Sequence, residues 1–229
     1  NQTFEEWSAL TTNLMLTEPR HHLSKTFNEK VNSLSPYEPV DEGLLAELSQ
    51  EYTELLTKFR YELGMSLIQP GRFILPGDLA NAPILQFFPF TQFENIDLNA
   101  YQKSGEDTLI GMLRARYVAY KDSVVKQFYK KHFVNFDRQI ILADCLTPLN
   151  NGKAAFDLQL AIEMICESYD YGKSSLLSRL FSPKIDKLLF AATKADHITP
   201  EQHDNLATLL EQLVAKTKQK LTFENIDLA

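Results

Sequence analysis

Two short runs of consecutive apolar residues, Ile140-Ile141-Leu142-Ala143 and Leu188-Leu189-Phe190-Ala191-Ala192, constrain the fold of this chain more than any other feature of it. A strand with one wet face alternates apolar and polar residues. Succession of apolar residues is instead the pattern of strands in a parallel sheet covered on both faces. Between the runs, residues Ala154 to Glu167 carry a helical pattern and Ser175 to Phe181 a shorter one. Parallel strands need such a crossover, so the two runs are predicted to be adjacent parallel strands with a right-handed connection. A last helix follows, with Thr199 as N-cap, Pro200 at the first helical position, Gln202 completing a capping box, and Leu206, Leu209, Leu210, Leu213 and Val214 in one stripe. From residue 136 onward the prediction is α/β.

The first 135 residues read differently. Phe4, Trp7, Leu10 and Leu14 recur at helical spacing until Pro19 and the polar stretch from Arg20 to Lys30 interrupt them. After Asp41 as N-cap, Leu44, Leu45, Leu48, Tyr52, Leu55, Leu56, Phe59 and Leu63 form one stripe that stops at Gly64. A third helix is predicted from Gly105 to His132. Between these helices, Pro70-Gly71 and Pro76-Gly77 mark tight turns, and the aromatic run from Ala82 to Phe90 is read as a loop packed over the core rather than a partner surface or membrane wedge. The hexapeptide Phe93 to Leu98 recurs as Phe223 to Leu228, but the flanks do not match and no longer repeat surrounds it.

Composition removes several classes of function. With 23 basic and 30 acidic side chains, the net charge of −7 argues against general nucleic-acid binding or attraction to anionic lipid. The longest apolar runs fall far short of the ~20 residues that span a bilayer, and residues 1 to 20 show no charged region leading into an apolar core. Cys145 and Cys166 sit inside apolar segments as buried thiols do, so a reducing, cytoplasmic location is expected.

The strongest chemical signal is Thr193-Lys194-Ala195-Asp196, of the form [N/T]-K-x-D, directly after the second apolar run and before the last helix. In open α/β sheets ligands bind beyond the carboxyl ends of the strands. A carboxylate there can accept two hydrogen bonds from the paired N–H donors on one edge of guanine, a pair adenine lacks. The lysine stem would lie along the base and Thr193 would hold the loop. The competing reading is a plain polar turn.

Gly172-Lys173-Ser174 does not complete a phosphate-binding G-x-x-x-x-G-K-[ST] loop, because the first glycine would fall at Glu167 and a helix pattern stands where a strand is required. Asn151-Gly152-Lys153 fails in the same way. Asp144, at the end of the first strand, is a candidate magnesium or supporting residue, or else an ordinary turn residue. His197, His203 and Asp204 lack metal-ligand spacing, as do His21 and His22, and no metal site is predicted. Lys126, Lys130, Lys131 and His132 complement a helix C-terminus. No nucleophile elbow or activated cysteine is present, so no catalytic residue is assigned.

Several segments together resemble the YcjX-like family, a bacterial group of predicted P-loop GTP-binding proteins associated with stress response. They are Ile68 to Asp78 (IQPGRFILPGD), Leu85 to Pro89 (LQFFP), Phe136 to Cys145 (FDRQIILADC) and Leu180 to His197 (LFSPKIDKLLFAATKADH). The similarity covers most of the chain and is weakest over residues 1 to 40. It implies part of a parallel-sheet P-loop (G-domain-like) nucleotide domain over 136–229, with a mainly helical insertion subdomain over 1–135. It also implies a cytosolic parent that binds GTP/GDP with Mg and hydrolyses GTP, in which Thr193, Lys194 and Asp196 recognise the guanine nucleotide. The family's phosphate loop lies upstream of these residues and its final strand, with the ribose and base-backing loop, is expected after Ala229, so the chain is read as an internal fragment, inactive by itself. The alternative is a non-enzymatic module whose helical half and aromatic run bind a protein partner.

Overall fold

The computed structural model describes residues 2–132, 136, 138–168, 185, 187–222 and 227–228. Its contacts divide the chain into two units, one of Asn1–Leu63 with Ile68–Gln127, the other of Gly64–Leu67 with Phe128–Ala229.

The first unit is helical. Helix α1 (Phe4–Leu16) opens with a capping box in which the Thr3 hydroxyl accepts from the Glu6 N–H (3.3 Å) and the Glu6 carboxylate accepts from the Thr3 N–H (2.9 Å). The polar stretch expected to interrupt it is itself mostly helix, α2 (His21–Asn32). Its buried positions, Ser24, Phe27, Asn28 and Val31, follow helical spacing, but two of the four are polar, which hides the stripe from a reading of apolar residues. Helix α3 (Glu42–Tyr61) begins where expected, with the Asp41 carboxylate accepting from the Gly43 and Leu44 N–H groups at 2.8 and 3.1 Å. Helix α4 spans Leu98–Lys103.

The helix predicted from Gly105 starts later, as α5 (Leu109–Tyr120) capped by Thr108. It passes through a π-helical turn at Lys121–Val125 and continues as α6 (Lys126–His132). Gly105 lies outside because its carbonyl packs against Gly111, 1.9 Å from where a Cβ on that glycine would stand. Phe87, Phe88 and Phe90 are fully buried, so the aromatic run is core. Phe87 lies 5.4 Å from the Trp7 ring and 5.0 Å from Phe73, and Trp7 stacks on Tyr117 at 5.2 Å. Those side chains therefore do not supply the partner surface of the interaction-module alternative.

The second unit is α/β. Strands β1 (Arg138–Ala143) and β2 (Lys187–Ala192) pair in parallel, with Ile140 opposite Leu189 and Ala143 opposite Ala192. A two-residue strand β3 (Asp227–Leu228) pairs in parallel with β2, giving the order β1-β2-β3. The short helix predicted across Ser175 to Phe181, and Gly172 to Ser174, lie outside the described residues.

Helices α7 (Gly152–Glu167) and α8 (His203–Thr222) supply a core with Ile141, Ala143, Leu188 and Phe190 through Leu158, Ile162, Leu206, Leu213 and Val214. The expectation of cover on both faces is corrected here. Ile140 is 62% exposed, Leu142 69% and Leu189 38%, so among the described residues only one face of the sheet is packed. Apolar succession marks both faces as apolar, but whether each face is covered depends on the elements packed against it. The capping box at Thr199 is also corrected. Its hydroxyl meets the Glu201 carboxylate, while its carbonyl accepts from the Gln202 N–H (2.9 Å), so the first turn, Pro200–Gln202, is 3₁₀.

One buried carboxylate ties a distant strap to this unit. Asp157 of α7 is 4% exposed, and its Oδ2 accepts from the N–H groups of Ser66 and Leu67 at 2.7 and 2.8 Å. Gly64, at φ +68°, enters the strap in the left-handed region that glycine adopts without steric cost. No helix among the described residues is long and apolar enough to cross a membrane.

Candidate functional site

Because β1 and β2 run parallel, their carboxyl ends share one edge of the sheet, and the polar residues following each strand meet there. Thr193, directly after β2, donates its N–H to the Ala143 carbonyl at the end of β1 (2.9 Å), and its hydroxyl donates to the same oxygen at 3.4 Å. Thr193 thus holds the loop by tying the two strand ends together.

Asp144, directly after β1, accepts from the Thr147 N–H (3.1 Å) and from its hydroxyl (2.7 Å). Lys194 Nζ completes the cluster, 2.6 Å from Asp144 Oδ2 and 2.9 Å from Thr147 Oγ1. Burial opposes ionisation of Asp144, but the Lys194 ammonium and both Thr147 donors outweigh it and hold the carboxyl down at about 2. Lys194 itself occupies the left-handed region, at φ +62° and ψ 26°. That conformation is sterically unfavourable for a residue with a Cβ.

Asp196 sits on the 3₁₀ turn Ala195–His197, which the His197 N–H closes onto the Lys194 carbonyl at 2.9 Å. Its carboxylate is 85% exposed, with His197 Nε2 3.8 Å away. His203, at the start of α8, places Nε2 3.2 Å from the Ala195 carbonyl and so joins the turn to the helix. The four residues singled out in the sequence therefore converge on one strand edge but divide in state. Thr193, Lys194 and Asp144 are engaged with the protein, while Asp196 faces solvent.

Thr147 was missed, although a signal for it exists. Asp144-Cys145-Leu146-Thr147-Pro148 places an aspartate three residues before the N–H it caps and a proline behind it, an Asx-type turn. What the spacing does not contain is Lys194, brought to that turn only by the parallel pairing. Cys145, beside Asp144, is buried, and burial together with the neighbouring carboxylate pushes its thiol up to about 11, which keeps it protonated and unreactive. Among the described residues no group of three or more His, Cys, Asp or Glu side chains could hold a metal ion.

The family model described as YcjX-like family, DUF463, matches residues 1–229. The chain belongs to the YcjX-like family. Among YcjX-like proteins it is 46% identical over 228 residues to "Ras-like GTPase YcjX" of Escherichia coli K12, a match covering 99% of this chain and 49% of that protein. It is 38% identical over 224 residues to "Ras-like GTPase YcjX" of Shewanella oneidensis MR-1, covering 97% of this chain and 46% of that one. The chain spans about half the length of the curated YcjX relatives it matches.

Proposed function

We propose that this chain carries the guanine-recognition end of a YcjX-like protein that binds GTP/GDP and hydrolyses GTP. In that reading Thr193 holds the loop, Lys194 supports the base with its stem, and Asp196 reads the base edge. Residues 136–229 form part of the nucleotide domain, and residues 1–135 form a helical insertion. The observation that carries the reading is the placement of Thr193-Lys194-Ala195-Asp196 beyond the carboxyl end of a parallel strand, with the Asp196 carboxylate left open to solvent. The names of the two relatives and the division of contacts near residue 127 support it.

The residues present fit a guanine base. Asp196 offers two acceptor oxygens to the adjacent N1–H and N2–H donors of guanine, whereas adenine presents an acceptor at N1 and only a C–H at position 2. They do not fit magnesium, because the Asp144 carboxylate already carries the Lys194 ammonium and both Thr147 donors. The metal and the phosphate-cradling backbone therefore belong, in this reading, to the part of the family protein outside these residues. The family resemblance extends the proposal to a cytoplasmic protein of the stress response.

Asp196→Asn in the full-length protein tests the base assignment. The amide has one donor and one acceptor, so guanine loses a charge-assisted bond worth about 1.5–3 kcal/mol and meets a donor with a donor. GTP affinity is expected to fall at least about tenfold. Xanthosine triphosphate, whose 2-oxo group accepts from the new amide, is expected to bind more tightly. Competition binding that shows neither change reduces residues 193–196 to a polar turn.

A further inference from the structure

The least expected feature of the strand edge is the state of Lys194. A solvent-facing lysine ordinarily leaves its ammonium in water, and a left-handed backbone is ordinarily left to glycine or asparagine. Lys194 does neither, because its ammonium is held by Asp144 and Thr147. Asp144 is fixed in turn by two donors from Thr147, so it cannot follow the lysine if the loop shifts. The backbone of Lys194 also accepts the hydrogen bond that closes the turn bearing Asp196. One side-chain anchor therefore reaches the turn through a single residue.

Resting on the guanine-recognition reading above, we propose that Asp144 is a positioning residue for nucleotide binding. With Thr147 it pins the Lys194 ammonium to the end of β1. The aliphatic stem is thereby fixed at both ends as a platform for the base, and the left-handed backbone that presents Asp196 is held in place. Asp144 touches neither base nor phosphate. Its contribution is the order it gives to Lys194 and, through Lys194, to the 195–197 turn. Base choice stays with Asp196.

The experiment uses the full-length protein with Asp144→Asn, Lys194→Ala, the double variant and Asp196→Asn. Each is titrated with fluorescent guanosine and xanthosine diphosphates, which avoids hydrolysis during the measurement. Asp144→Asn keeps an acceptor for Thr147 but loses the charge that holds Lys194. It is expected to weaken both nucleotides about tenfold and leave their ratio unchanged. In the Lys194→Ala background the same substitution is expected to cost less than about twofold, because the residue it positions is gone. Hydrogen exchange of the 193–197 backbone is expected to quicken in Asp144→Asn by more than the variant's loss of global stability accounts for, with the exchange of α3 amides as the reference.

Wild-type affinity in Asp144→Asn overturns the positioning role, and so do effects of Asp144→Asn and Lys194→Ala that simply multiply. If Asp196→Asn switches base preference while Asp144→Asn is silent, guanine recognition stands and only the positioning role falls. If Asp196→Asn changes nothing, the guanine reading itself fails, and with it the assignment of Asp144 to nucleotide binding.

Discussion

The buried Asp157 is the polar group whose removal should be felt most strongly in the α/β unit. Its Oδ2 receives two backbone N–H groups, those of Ser66 and Leu67, at 2.7 and 2.8 Å. Hydrogen bonds to a charged group are worth about 1.5–3 kcal/mol each, and a buried donor left without a partner costs about 1–3 kcal/mol. Asp157→Ala abolishes both bonds. Part of that loss is offset because a carboxylate no longer has to be buried, and Ser66 is only partly buried, so water can reach its N–H. A net loss of about 3 kcal/mol remains, equivalent to roughly a hundredfold in an equilibrium constant. With a urea dependence of about 1–3 kcal/mol/M, the unfolding midpoint should fall by about 1–3 M. Lys153→Ala, at an exposed position on the same helix, should change stability by less than about 0.5 kcal/mol.

Amide exchange makes the test local. The Ser66 and Leu67 amides should lose up to about a hundredfold protection in Asp157→Ala, because opening the strap no longer breaks the two bonds to the Asp157 carboxylate. A loss of stability below about 0.5 kcal/mol, with both amides protected as in the wild type, would refute the view that this carboxylate holds the strap.

Gly111→Ala should destabilise the helical unit by about 2 kcal/mol or more, measured by thermal unfolding. The new Cβ would stand 1.9 Å from the Gly105 carbonyl oxygen, a backbone atom, and the resulting overpacking exceeds the ~1 kcal/mol that alanine gains over glycine in a helix. Acid should act through Asp144. Burial disfavours its charge, yet Lys194 and Thr147 hold its folded pKa at about 2, below the ordinary 3.8. The stability this contributes is present above pH ~4 and lost as pH falls toward ~2, so the advantage of wild type over Asp144→Asn should vanish across that window in pH-dependent unfolding. The chain of residues 1–229 alone should show neither micromolar GTP affinity by calorimetry nor turnover above background, since no phosphate-binding loop is encoded in it.

Local rules were enough for much of the fold. Asp41 caps α3 because a short carboxylate reaches the N–H groups of the next turn, and that geometry needs nothing beyond the neighbouring residues. The apolar runs became parallel neighbours as their apolar succession suggested, although among the described residues only one of the two faces is packed. Thr193, Lys194 and Asp196 were legible for the same kind of reason, as a short polar motif at the end of such a strand. Helix α2 was not legible, because Ser24 and Asn28 are buried through contacts made elsewhere in the unit. The Ser24 hydroxyl, for example, donates to the Met15 carbonyl at 2.7 Å.

The repeated hexapeptide separates the two kinds of information most cleanly. In its first copy Asp97 caps α4 by accepting from the Asn99 and Ala100 N–H groups, and Leu98 is the first residue of that helix. In its second copy Asp227 and Leu228 form β3, paired with Lys187 and Leu188. The same Asp-Leu pair begins a helix in one place and extends a sheet in the other. Its local preferences differ by less than a few kcal/mol, and the open edge of β2 supplies hydrogen-bond partners that no local rule can foresee. The ammonium of Lys194 on Asp144 arises in the same way. The sequence determined that each residue would follow a strand, and only the pairing of those strands decided that they would meet.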